Sequence, residues 1–180
     1  MLLTYKEANA QSGGRYGLRQ ALASGKLKHL ARNLYATEAS DSTLGSLSKL
    51  YPDAIITGPT ALFLHGIIDL PPERIDVATK RGGTKISSPT ISQSYIPQEW
   101  LQVGASTIFH DGAELKVFDL ERMLLELMRS RNKIPYDIYR EAVNSYRKLA
   151  DRLDIYKLEE YASQIPRGQS YFNRLLEEVF

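Results

Sequence analysis

The chain has 180 residues, of which 43% are apolar and 24% charged, with a formal net charge of +2; such a chain forms one or two domains and can bury a core without metal or disulfide. It contains no cysteine, which excludes disulfide scaffolding, thiolate catalysis and cysteine-ligated zinc and fits a reducing compartment. No run approaches the ~18 consecutive apolar residues of a membrane helix, and residues 1–7 lack the basic stretch and long apolar run of a signal peptide, so a cytoplasmic protein without a membrane partner is expected.

Charge is unevenly spread. Residues 1–40 carry +4 and the remaining 140 carry −2. A basic head on a mildly acidic body has two explanations, a phosphate-facing surface or a solvated one with chance asymmetry.

In chain order, Thr4 can cap a short helix to residue 11, ended by Gly13 and Gly14. A second helix is expected over residues 15–24, with Tyr16, Leu18, Ala21 and Leu22 as its apolar candidates and Gly25 as its stop. Residues 26–37 suggest a hairpin turning at Arg32 and Asn33, since asparagine tolerates the positive φ of such a turn. The polar stretch 39–43 is the expected boundary between a 1–40 domain and a 44–180 domain.

Beyond it, Leu44, Leu47 and Leu50 suggest a helix, residues 54–57 a strand, and residues 58–65 a helix with Pro59 in its first turn. Strands are expected over 74–79 and 90–96. Two more, over 106–110 and 114–118, flank Asp111 and Gly112, a strong hairpin signal. Asp119 is a good cap for a helix to residue 129 with a stripe of Leu120, Met123, Leu124, Leu127 and Met128. Further helices start at Pro135 and after Asp154, and Phe172, Leu175, Leu176 and Val179 line a last one. The expected fold is α/β (α+β): a small N-terminal winged helix-turn-helix, then a mixed sheet with a C-terminal helical cluster.

Two helices followed by a basic hairpin is the order of a winged helix, in which the second helix enters the major groove where all four base pairs are distinguishable. On that helix Arg15 and Arg19 share one face, and with Tyr16 and Gln20 they are the candidate contacts to base edges and phosphate. Lys26 and Lys28 would alternate along the first wing strand with Leu27 opposite, and Arg32 would sit at the wing tip. His29 is a weaker candidate for phosphate contact.

The string LRQALASGKLKHLARNLYAT, residues 18–37, resembles the end of the N-terminal winged helix of AbiEi-type antitoxins of type IV (AbiE, abortive infection) toxin–antitoxin systems, where a leucine-containing helix leads into GkL.ki.kGiY. Residues 51–72, YPDAIITGPTALFLHGIIDLPP, resemble the segment opening the family's C-terminal domain, and residues 116–148 resemble its helical segment. In order and spacing the likeness spans nearly the whole chain. Asn33 stands where the family often has glycine, and asparagine reaches the same backbone region. The resemblance implies a head that binds inverted repeats in its own promoter and represses the operon. It implies a body that counteracts a nucleotidyltransferase-like toxin without a stable complex, in defence against phage.

Catalytic patterns are sparse, and neither an enzyme nor a cofactor is expected. Gly82 and Gly83 lack the flanking residues of a phosphate loop. His29, His65 and His110 show no metal-ligand spacing. Asp53, Glu114 and Lys116 match the short proline–aspartate and (D/E)xK pattern of a magnesium-dependent nuclease, in which two carboxylates hold the metal and the lysine steadies the attacking water. That nuclease and a protein-interaction module without DNA binding are the alternatives. A second basic cluster comprises Arg129, Arg131 and Lys133, then Arg140, Arg147, Lys148 and Arg152. Its first members sit at or past a helix C-terminus, where cations offset the dipole, or they form a second nucleic-acid or antitoxic surface.

Overall fold

The structure, a computed structural model, describes residues 2–31, 33–37 and 43–180. The chain divides into two compact units, residues 1–53 with 108–115, and residues 54–107 with 116–180. Of the connector expected at 39–43, all but Thr43 lies outside the described residues, as does Arg32 at the expected wing tip. The division between the units follows Asp53.

The first unit runs β1 (Leu2–Thr4), α1 (Tyr5–Gln11), α2 (Arg15–Ala23), β2 (Lys28–Ala31), β3 (Leu34–Ala36) and α3 (Thr43–Leu50). Thr4 closes a capping box: its hydroxyl accepts from the Glu7 amide, and the Glu7 carboxylate accepts from the Thr4 amide at 2.8 Å. α2 follows so tightly that a β-carbon on Gly17 would lie 1.8 Å from the Ser12 carbonyl oxygen, and no other residue permits that approach. Leu18 on α2 is buried with Leu3, Ala8, Leu27 and Tyr35, and Ala21 and Leu22 pack on them.

The three strands form an antiparallel sheet in the order β1-β3-β2, with Leu3 opposite Tyr35 and His29 opposite Tyr35 on the other side. β1 is an addition to the sequence-based expectation, because three residues carry no readable periodicity. The turn residue Asn33 has φ 65°, and its side-chain oxygen accepts from the Tyr5 amide at 3.0 Å, tying the hairpin to the start of α1. β2 begins at Lys28 and not at residue 26. The Leu27 amide donates to the Ala21 carbonyl at 3.0 Å while its side chain enters the core. Lys26 is thereby held in a bend ahead of the strand, and the expected Lys26–Lys28 alternation is lost.

The second unit contains β4 (Ile55–Ile56), α4 (Gly58–Leu64), β5 (Ile75–Lys80), β6 (Ile91–Ile96), α5 (Gln98–Leu101), β7 (Ala105–His110) and β8 (Ala113–Phe118), the last two apart from their tip. It continues with α6 (Leu120–Arg129), α7 (Tyr136–Lys148), a 3-10 turn (Ala150–Arg152), α8 (Ile155–Gln164) and α9 (Gly168–Glu178). The sheet is mixed, in the order β6-β5-β4-β8-β7. The two-residue β4 pairs antiparallel with β5 and parallel with β8. β5 and β6 are parallel neighbours in register from Ile75↔Ile91 to Lys80↔Ile96. Gln93 pins the intervening return, accepting from the Ile86 amide at 2.8 Å and donating to the Thr84 carbonyl at 3.0 Å. Asp111 and Gly112, both at positive φ, close the last hairpin.

α6 is the axis of this unit. Asp119 caps it, accepting from the Arg122 amide at 2.8 Å. The sequence suggests a one-sided stripe, yet Leu125, Arg122 and Glu126 are buried as well as Met123, Leu124, Leu127 and Met128. Charged residues on its other flank are therefore interior, and a buried ion pair satisfies them. Tyr146 from α7 is fully buried and donates to the Leu120 carbonyl at 3.0 Å. Among the described residues, no helix is long and apolar enough to cross a membrane.

Candidate nucleic-acid interface

α2 buries one face and leaves the other open. Leu18 turns inward, while Arg15, Tyr16, Arg19 and Gln20 are all exposed, Tyr16 at 76%. The i,i+4 spacing places Arg15 and Arg19 side by side, and Gln20 donates to the Tyr16 hydroxyl at 3.2 Å. Among the described residues, Arg15, Arg19, Lys26 and Lys28 form no ion pair. An open groove in the same unit has Gly17, Gln20 and Lys26 along its walls.

The anion nearest in sequence already has its partners. Glu7 is engaged by Thr4 and pairs with Lys49 at 2.8 Å. The Lys49 hydrogen bond, then those of Thr4, hold its carboxyl down at about 2. The glutamate thus stays ionised but already neutralised, and it does not offset the arginines of α2.

The second basic cluster behaves differently. Arg129 pairs with Glu126, whose other oxygen accepts from Arg122 at 2.9 and 3.1 Å. Arg122 also donates to the Trp100 and Val103 carbonyls at 3.0 Å. A β-carbon on Gly104, itself at φ +71°, would fall 2.3 Å from the Arg122 β-carbon, so the loop can close over that arginine only with glycine there. Arg131 pairs with Glu178 at 3.1 Å and lies over the Tyr139 ring. Arg147 donates to the Glu178 carbonyl at 2.7 Å. Lys133 and Lys148 are exposed. Arg129, Arg131 and Arg147 are thus tied into the helical packing, and they are not a free surface like that of α2.

Two cavities open in the second unit. One, of about 240 Å³, is walled by Asp76, Arg129 and Lys133 among others. Burial raises the Asp76 carboxyl above its usual range, against hydrogen bonds from Ser92 and Thr60. The other, of about 270 Å³, brings Arg81, Trp100, Arg129, Arg167 and Tyr171 together. These residues are scattered over 90 positions of sequence, with no motif to signal them. Of the nuclease pattern, Glu114 and Lys116 are exposed at alternate positions of β8 and Asp53 is exposed in a turn. Among the described residues, no group of three or more histidine, aspartate or glutamate side chains is placed to hold a metal ion.

The architecture is mixed α/β, and it is shared with a solved protein. The crystal structure of the RV2827C protein from Mycobacterium tuberculosis superposes with a TM-score of 0.69, covering 99% of this chain and 72% of that one at 16% sequence identity. At that identity the likeness is one of fold. No protein-family model matches the chain, and no curated protein does.

Proposed function

We propose that this chain is an AbiEi-type antitoxin that represses its own operon, with α2 as the helix laid in the major groove of an inverted repeat. One observation carries the DNA-binding part: Arg15 and Arg19 stand exposed on one face of α2 with no ion pair among the described residues, beside Gln20. Guanidinium and carboxamide groups are the side chains that bond guanine and adenine edges in two places at once. An α1–turn–α2 pair followed by a β2–β3 hairpin supports the arrangement, with Lys28 as a phosphate contact beside the helix; Arg32 as a contact rests on the sequence alone. Lys26, in its bend, is a further phosphate contact. Neutralisation of a nucleotidyltransferase-like toxin without a stable complex rests on the sequence resemblance.

The test uses the DNA upstream of the chain's own gene. Fluorescence anisotropy should show salt-sensitive binding to an inverted repeat, weakened in the Arg15→Ala/Arg19→Ala double variant at unchanged melting temperature. A reporter on the same promoter should be derepressed by that variant, and co-expression with the adjacent gene's product should rescue growth. Binding that is indifferent to both substitutions removes α2 from the interface. Growth that is not rescued removes the antitoxin assignment while leaving the repressor intact.

A further inference from the structure

We propose that the second unit binds a nucleoside monophosphate in the 270 Å³ cavity framed by the ends of β5 and β6, by α5 and α6, and by the turn between α8 and α9. Three independent features of that cavity point to a ligand carrying both a phosphate and an aromatic ring.

The first is charge. Four cations, Arg81, Arg122, Arg129 and Arg167, line it against one anion, Glu126. Glu126 is consumed, its two oxygens taken by Arg122 and Arg129, so that trio keeps one positive charge with Arg122 only 2% exposed. Arg81 and Arg167 are exposed and form no ion pair among the described residues. The Glu126 network explains Arg122 and Arg129 as structural, but it leaves Arg81 and Arg167 without a partner. Two unpaired guanidiniums lining one cavity suit a phosphate, whose oxygens accept their paired N–H groups.

The second is the ring set. Tyr95, Trp100 and Tyr171 line the same cavity, and aromatic faces stack bases of any sequence, while arginine adds a planar cation. A site for a bare anion has no need of three rings.

The third is the backbone at Arg167, the residue before α9, which adopts φ 59°, ψ 16°. A left-handed conformation disfavours every side chain, and glycine fills it without cost. Arginine keeps the position although glycine would relax it, and such outliers gather at ligand clamps. The turn is fixed as well, since a β-carbon on the following Gly168 would lie 1.9 Å from the Ala162 carbonyl oxygen. Size then limits the ligand. The cavity, about 270 Å³ and partly open, falls just under the ~300–1,000 Å³ that encloses drug-sized molecules, so a ligand of about one nucleotide is the most it would largely cover.

Trp100 is the single tryptophan of the chain, so tryptophan emission, excited at the red edge where the eleven tyrosines do not absorb, reports on this cavity. The full-length protein is titrated with AMP, GMP, CMP and UMP, with the matching nucleosides and with inorganic phosphate, and calorimetry checks the affinities. At least one monophosphate should change Trp100 emission saturably below about 1 mM, a modest affinity, and more tightly than its nucleoside or phosphate. Arg81→Ala and Arg167→Gly should each weaken it about tenfold or more, as for a lost charge-assisted pair. Arg167→Gly should melt no lower than the wild type, because glycine suits the backbone there. The proposal is overturned if no monophosphate binds, if phosphate alone binds as tightly, if both variants bind normally, or if an oligonucleotide binds this cavity far better than a mononucleotide. Retained DNA binding by the first unit does not bear on any of these outcomes.

Discussion

Two regions of the molecule, the exposed face of α2 and the packing around α6 and α7, use arginine in opposite ways. In the first, Arg15 and Arg19 sit on an exposed helix face and their positive charge is offered to solvent. In the second, Arg122 is drawn into the core and held by Glu126 and two carbonyls, while Arg131 is clamped by Glu178 and the Tyr139 ring. A count of basic residues does not separate these cases, but the partners do. A guanidinium with its donors satisfied inside the chain contributes to the fold, and one with none is available for an outside anion.

The contrast is broken most forcefully at Glu126. Glu126→Ala should cost about 3–5 kcal/mol in urea unfolding, because it strands the buried Arg122 charge; a loss below about 1 kcal/mol would mean that water or relaxation replaces the pair. Next comes the turn that presents α2. Gly17→Ala should cost about 1–3 kcal/mol, since the new methyl must displace the Ser12 carbonyl, and DNA binding should fall with it. By contrast Arg15→Ala and Arg19→Ala should leave unfolding within about 0.5 kcal/mol of the wild type.

The smallest effect is acid sensitivity of the first unit. The folded Glu7 carboxyl titrates at about 2, against an ordinary value of 4.5, chiefly through Lys49. Its contribution is complete above the ordinary value and is lost as pH falls toward the folded one. Glu7→Gln should therefore flatten the stability profile across that window and converge with the wild type at its acid end. With the Glu7 side chain 46% exposed, solvent screening keeps the difference small. Equal slopes for the two proteins would show that the Lys49 contact is not populated in solution.

Local chemistry made much of this architecture legible. The Thr4 and Glu7 cap, the Asp111–Gly112 turn and the Asp119 cap all act within four residues, where sequence spacing and spatial contact coincide. Long-range pairing was less accessible. β1 and β4 have three and two residues, too few to show a period, and each exists because a neighbouring strand accepts it. The Arg122–Glu126 pair follows i,i+4 spacing, which reads as a solvated helix face until packing on every side of α6 is seen. The face of α2 was readable because one helix supplies it. The cavity around Trp100 was not, since the residue after β5, the end of β6, α5, α6 and the α8–α9 turn each supply a part.

The most direct measurement is the salt dependence of DNA affinity for the wild type and for Arg15→Ala/Arg19→Ala. If both guanidiniums neutralise phosphates, the slope of log K against log salt should shrink by about 1.8, from roughly 0.9 per contact. If they read base edges instead, the slope should hold while discrimination falls by about 1–3 kcal/mol per lost pair. An unchanged slope together with unchanged discrimination would contradict the placing of α2 against DNA.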